Sequence, residues 1–199
     1  MRCFVRVFLA IGLVLILATG CWNPFSSDGN GNGNGNGGYD RLTRNNLMEF
    51  FANAYEEEDI DQYEECLHDK FLFKFTKEAA ESAGLPPDQP WWGKTADVAA
   101  TRNMFDAPNV GNIVMNLASQ IDWYVCVDVR EHETPPDTIT GWCARYDPTI
   151  DVTIDEGQDS ERTLIVRDSW LNVIVTPDPK STIGEWVVVK IEELEKSPG

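Results

Sequence analysis

The spacing of apolar residues changes partway along the chain, and that change limits the fold more than any other feature. Leu47, Phe50, Phe51 and Ala54 fall at i, i+3, i+4 and i+7, the stripe of an amphipathic helix. From Ile121 onward the apolar residues alternate instead. Ile121, Trp123, Val125, Val127 and Val129 share one parity, and Asp122, Tyr124, Cys126, Asp128 and Arg130 share the other. Alternation continues through Trp142, Ala144 and Tyr146, then Ile150, Val152 and Ile154, then the long run Thr163–Val175 and the last strand Glu185–Ile191. Helices first and antiparallel strands afterwards make an α+β layout, with helices packed on one face of a strongly curved sheet.

Local signals divide the helical half. A first helix runs from about Asp40 to Glu57. Asp59 reads as the N-cap of a second, with Gln62 as its capping-box partner and Ile60, Tyr63 and Leu67 as its apolar stripe. His68 and Asp69 then fall near that helix's end. Phe71, Phe73 and Phe75 alternate as a strand, and Thr76 caps a short helix stopped at Gly84. Thr95 to Phe105 reads as another helix, with Val98, Thr101 or Arg102, and Phe105 inward. The apolar parity of Thr163–Val175 shifts near Asp168–Trp170, which predicts a bulge or bend. Residues 192–199 read as a tail.

Ahead of this domain lies an export signal. Arg2 and Arg6 precede an apolar stretch, and Leu17-Ala18-Thr19-Gly20 leads into Cys21. Small residues followed at once by Cys resemble a bacterial lipobox, with Ala18 where Leu is commonest. That resemblance implies cleavage after Gly20 and acylation of Cys21, including palmitate; an ordinary secretory signal is the other reading. Buried methylenes contribute about 0.8 kcal/mol each, so several chains hold a protein at a membrane. Trp22 stands where lipoproteins kept at the inner membrane resemble one another in having Asp. The resemblance therefore implies the periplasmic side of the outer membrane in a Gram-negative cell. Residues 21–38 form a Gly/Asn-rich flexible tether, about 23 Å long on average. Gly33-x-Gly35-x-x-Gly38 matches a dinucleotide fingerprint only by its low complexity, because no strand precedes it. The organisation is residues 1–20 signal, 21–38 tether, 39–195 folded domain and 196–199 tail. With 42% hydrophobic residues the domain can bury a core, and a net charge of −17 repels phosphate backbones, which excludes nucleic acid as a partner.

A family resemblance appears in the folded region. Phe50-Phe51-Ala52-Asn53-Ala54-Tyr55, then Asp59-x-x-x-Tyr63, then Leu67-His68-x-x-Phe71-x-Phe73 resemble the first two helices and first strand of the NTF2-like (SnoaL-like) superfamily. Trp186-Val187-Val188-Val189-Lys190-Ile191-Glu192-Glu193 resembles its final strand. The resemblance implies a cone, a bent sheet wrapped around helices with a pocket at the wide end. Some members are isomerases, dehydratases or cyclases, and many are binding or dimerisation modules, so the fold does not fix the function. The segment 131–161 is longer than in compact members.

Each chemical candidate has a structural alternative. Catalytic members resemble one another in moving a proton with Asp, His or Tyr inside the cone. His68 and Asp69 are too close in sequence to share a helix face, and His132 sits in an acidic, Pro-flanked loop. Asp122, Asp128 and Asp168 fall in strands, and the parity of Asp122 and Asp128 places them outward on a half-exposed sheet. Among seven tryptophans, Trp91, Trp92, Trp123, Trp142, Trp170 and Trp186 belong to the domain, either lining a cone for an apolar or sugar-like ligand or packing a core. The pocket set is Tyr55, His68, Trp91, Trp92, Asp168 and Trp170. Cys126 and Cys143 face each other across a hairpin centred near Pro135, a candidate disulfide, while Cys66 reads as a buried thiol. The acidic loop Asp147–Asp159 does not follow the EF-hand order and reads as a solvated face, no Cys/His spacing suggests zinc, and no cofactor is expected. The sequence thus points to an envelope protein with a non-catalytic module for a small ligand, an envelope protein partner or a second copy of itself. A cofactor-free isomerase or dehydratase using an Asp or His in the cone is the alternative.

Overall fold

The computed structural model describes residues 40–130, 136–157, 160–166 and 169–196. The signal segment, Cys21, the tether, His132 and Asp168 lie outside the described residues. Four helices, α1 (Arg44–Glu56), α2 (Ile60–Glu65), α3 (Lys77–Ser82) and α4 (Lys94–Phe105), precede most of the sheet. Its strands are β1 (Leu67–Lys74), β2 (Trp91–Gly93), β3 (Val110–Arg130), β4 (Asp137–Gly157), β5 (Ser160–Val166), β6 (Ser169–Pro177) and β7 (Trp186–Glu195).

The helix ends follow from side-chain capping. Thr43 accepts from the Asn46 N–H, Asp59 from those of Asp61 and Gln62, and Thr76 from that of Ala79. Gln62 does not close a capping box; its amide donates 3.0 Å to the Phe50 carbonyl and ties α2 to α1. Gly84 sits at φ +67°, a left-handed value suited to glycine after α3. The second helix is shorter than its apolar stripe. Leu67 opens β1 beside Val188, and the Lys94 ammonium holds the Glu64 and Leu67 carbonyls at 3.0 and 2.9 Å. His68 and Asp69 therefore stand in a strand, not at a helix end.

The seven strands run in the order β2-β1-β7-β6-β4-β3, with β5 added to β4. β1 and β7 are parallel; the other pairs are antiparallel. One face carries Phe71, Phe73, Phe75, Val173, Val188 and Ile191 against Leu47, Phe51 and Ala54 of α1, Tyr63 of α2 and Phe105 of α4. This is the expected α+β cone. The opposite parity, Leu72, Lys74, Ile174, Lys190 and Cys143, forms an open face.

β3 and β4 reach well past the sheet. β4 pairs with β6 only from Trp142 to Tyr146, so residues 124–130 and 137–141 form a two-stranded arm. A Cβ at Gly141 would lie 2.5 Å from the Val175 carbonyl oxygen, so only glycine fits where the arm leaves β6. The arm lies over the open face, where the Arg130 guanidinium donates to the Lys70 and Val189 carbonyls.

This placement overturns the expected parity. Val125, Val127 and Val129 are 60%, 53% and 58% exposed, whereas Asp128 and Arg130 are 4% and 2% exposed. Alternation was legible, but the side that is covered is decided by the arm running beyond the helices and lying over the open face. The arm's register also differs by two from the expected one: Arg130 is opposite Asp137, not Ile139, with no bulge between that pair and Tyr124. Tyr124, not Cys126, is opposite Cys143, and Cys126 is opposite Gly141. The Cys126–Cys143 disulfide is therefore diagonal, with Cα atoms 5.8 Å apart.

Three boundaries also differ from expectation. β3 begins at Val110 rather than Ile121, because Gly111, Asn112 and Asn116 interrupt its apolar pattern. The Thr163–Val175 run is two strands, one on the far end of β4 and one between β4 and β7. The supposed tail extends β7 to Glu195, where the Glu193 carboxylate accepts from the Thr76 N–H and the Ser169 hydroxyl.

Candidate functional site

Aromatic rings pack the inside of the cone between α1, α2 and α4. Tyr55 stands edge-on to Tyr63 and Phe105, with centroids 5.2 and 5.5 Å away, and Phe51 lies 5.3 Å from Tyr63. Asp97, in the first turn of α4, reaches into this cluster. The Tyr63 hydroxyl donates to one carboxylate oxygen, and the Trp92 indole donates to the other at 3.1 Å. Burial raises the Asp97 pKa from 3.8 to about 6, against the pull of these two donors. Burial and the Asp97 charge push the Tyr55 and Tyr63 hydroxyls up. A carboxyl group balanced near neutral pH is what proton transfer needs. Here, however, both oxygens are occupied, and none of the three described clefts is lined by Asp97.

Arg44 begins α1 and is surrounded by indoles. Its guanidinium carbon lies 3.9 Å from the Trp142 ring centroid, 5.5 Å from Trp186 and 5.7 Å from Trp123. Nη1 is buried without a hydrogen-bond partner, so the ring faces supply its electrostatic compensation. Trp123 is fixed by an indole hydrogen bond of 2.7 Å to Asn45. Three strand tryptophans do converge, but around the protein's own cation.

Among the described residues, three open clefts stand out. One of about 580 Å³ runs between α1 and β3, lined by Met48, Ala52, Leu117, Trp123 and Tyr146 among others. Burial pushes the Tyr146 hydroxyl there up to about 12. A second, of about 380 Å³, contains Arg41, His68, Asp69, Lys94 and Lys180. His68 Nδ1 accepts from the Lys70 N–H at 3.0 Å, and partial burial lowers its pKa. Asp69 pairs with Lys180 at 2.6 Å, and that hydrogen bond lowers its pKa. The third, of about 390 Å³, lies under the arm, between Leu72, Lys74, Trp91 and Lys190 of the sheet and Asp128, Val129 and Arg130 above them.

The described members of the expected pocket set are not brought together. Tyr55 is in the core, and His68 and Trp91 line different clefts. Trp92 packs edge-on against Phe75 at 4.8 Å, and Trp170 lies under Lys196, 5.0 Å away. Sequence reasoning missed Asp97, although Asp97, Thr101 and Phe105 share one helical stripe and all are buried. It also placed Asp128 outward, where the structure buries it against Arg130 and Lys190 at 2.9 and 3.1 Å. Among the described residues no group of His, Cys, Asp and Glu could hold a metal ion.

No family model matches the sequence, and no curated protein does. Solved structures do resemble it. The Kfla4162 protein from Kribbella flavida is 13% identical with a TM-score of 0.50, over 79% of this chain and 91% of that one. A conserved protein from Planctomyces limnophilus is 16% identical with a TM-score of 0.49, over 75% and 91%. An NTF2-like protein of unknown function from Pseudomonas putida is 13% identical with a TM-score of 0.44, over 77% and 84%.

Proposed function

We propose that this cone of helices held by a curved, unclosed sheet is an NTF2-like, non-catalytic assembly module, carried at the cell envelope on a lipidated Cys21 and a flexible tether. The row Val125, Val127 and Val129 carries the reading. These side chains are more than half exposed on β3, which is the last strand of the sheet. Of eight exposed large apolar residues among the described ones, six lie on β3: Val114, Ile121, Tyr124, Val125, Val127 and Val129. A long apolar edge strand is a template for another strand.

The partner is a second copy of the chain. Between Val110 and Arg130 the charged residues are Asp122, Asp128 and Arg130, and the last two are buried. The edge is therefore a stretch of low charge on a strongly acidic chain, where two copies can approach. Two antiparallel arms about a dyad near Val127 would set valine against valine. Native mass spectrometry of the detergent-extracted protein tests the anchor: the mature chain starts at Cys21 with acyl mass, and a species without acyl groups refutes it. Cross-linking of the lipidated protein in phospholipid vesicles tests the interface: wild type gives a dimer and Val127→Glu, at an exposed position, a folded monomer, and a wild-type monomer at high surface density, or a Val127→Glu dimer, refutes it.

A proton-transferring enzyme has one observation in its favour, the Asp97 carboxyl raised to about 6 beside Tyr63. The filled ring cluster and the engagement of both carboxylate oxygens favour the module instead.

A further inference from the structure

The cleft under the arm differs in charge from the rest of the molecule. In a chain of net charge −17, its charged lining is Lys74, Arg130 and Lys190 against the single carboxylate Asp128. These groups belong to one row. The Lys74 ammonium lies 2.5 Å from one oxygen of Glu192, whose other oxygen lies 3.7 Å from Lys190. Lys190 reaches Asp128 at 3.1 Å, and Arg130 Nε holds the other Asp128 oxygen at 2.9 Å. Arg130 spends its remaining nitrogens on backbone carbonyls of β1 and β7, so its work is to pin the arm. The lysines are committed differently. Each ammonium has three donors, and Lys74 uses one on Glu192. Leu72 and Trp91 supply apolar walls beside these ammonium groups.

We infer that this cleft binds a small amphipathic anion, its carboxylate on Lys74 and Lys190 and its flat apolar body against Trp91 and Leu72. A space of about 390 Å³ is within the range of small-molecule sites. The overlying arm excludes water from one side, which strengthens the attraction between ammonium and carboxylate. A neutral ligand would leave the ammonium donors unused, and a cation would meet like charge. Asp128 holds Lys190 in place and opposes a second negative charge, so the site favours a monoanion over a dianion. The site lies on the open face, opposite the ring-filled interior of the cone, and is independent of the dimer reading.

The test titrates naphthoate, and separately its uncharged amide naphthamide, into the ¹⁵N-labelled full mature protein. Indole N–H resonances are read by nuclear magnetic resonance, with Trp91 identified through Trp91→Phe. A charge-assisted hydrogen bond predicts that naphthoate moves the Trp91 signal and binds on the order of tenfold more tightly than naphthamide. Lys74→Gln removes one such bond at a half-exposed side chain and weakens naphthoate several-fold while the remaining spectrum stays folded. Lys190→Gln also strips a partner from buried Asp128, so Lys74→Gln is the deciding variant. Equal binding of acid and amide, shifts that spare Trp91, or unchanged naphthoate affinity in Lys74→Gln would each overturn the inference. The Val127→Glu monomer should bind naphthoate as wild type does, which separates failure of this site from failure of the interface.

Discussion

Replacing Asp97 with Asn should flatten one pH dependence of stability. Asp97 has a pKa near 6 in the fold against 3.8 as an ordinary carboxyl. Between those values the unfolded chain releases the proton while the folded protein keeps it. The unfolded state then binds fewer protons, so stability falls as pH rises through this window. Below the window the group has no effect; above it the whole cost stands. Roughly two pKa units correspond to about 3 kcal/mol. In Asp97→Asn the Trp92 indole can still donate to the amide oxygen, and the amide N–H₂ can donate to the Tyr63 oxygen. Tyr63 can turn its own proton towards Tyr55, a neighbour it already contacts. The variant should therefore match or trail wild type near pH 4 and exceed it near pH 7. For a domain of this size the swing in relative melting temperature is on the order of 10 °C. Thermal melts by circular dichroism, wild type beside variant in the same buffers from pH 4 to 7.5, measure that difference. Taking the difference cancels other carboxylates such as Asp69 and Asp137, whose lowered pKa values act in the opposite direction. A difference independent of pH would mean that Asp97 is already ionised at no cost, and the account of the buried cluster would be wrong.

Gly141→Ala puts a methyl 2.5 Å from the Val175 carbonyl oxygen, a backbone atom that cannot swing aside. It should cost about 1–3 kcal/mol in chemical denaturation and speed hydrogen exchange in residues 124–130, and exchange no faster than wild type would show that the arm does not depend on that close approach. Arg44→Ala removes a cation from three indole faces and should lower stability by about 2 kcal/mol while shifting tryptophan emission, with Arg44→Lys intermediate. Unchanged emission would place those indoles away from Arg44.

The sequence revealed elements better than it revealed what covers them. Leu47, Phe51 and Ala54 of α1, Phe71 and Phe73 of β1, and Phe75 just beyond it are core residues because a stripe of one period can meet only one neighbouring surface. The same logic separates Val125, Val127 and Val129 from Asp128 and Arg130 but says nothing about which set is inside. That depends on the length of α1 relative to β3 and on the glycine that lets the arm approach β6, both properties of the assembled sheet. Asp97 was hidden by its helix. An acid in a first turn is the ordinary response to the helix dipole, and only its alignment with Thr101 and Phe105 marks it as inward. Arg44 left a fainter signal, a cation at the start of a helix, where the dipole disfavours it. The six-residue pocket set failed because it was drawn from aromatic and titratable types without knowing which strand each would join.

On the proposed reading, the exposed valines leave an association that is weak by itself. Burying the exposed half of a valine contributes about 0.8 kcal/mol, so three from each copy give about 5 kcal/mol. Lost translational and rotational freedom costs at least about 4 kcal/mol, which leaves little surplus before any edge hydrogen bonds form. A second-copy interface on such a strand would therefore be sparse in dilute solution. Anchoring changes that balance without changing the contacts. If the proposed anchor and tether hold, two domains on one membrane would meet at a far higher effective concentration than two free ones. The short apolar row would then supply direction and the anchor proximity. A strongly apolar edge would not need the anchor and would pair with any exposed strand. On that reading the modest three-valine row, beside the buried Asp128 and Arg130, would keep the arm from pairing until copies are gathered at the membrane.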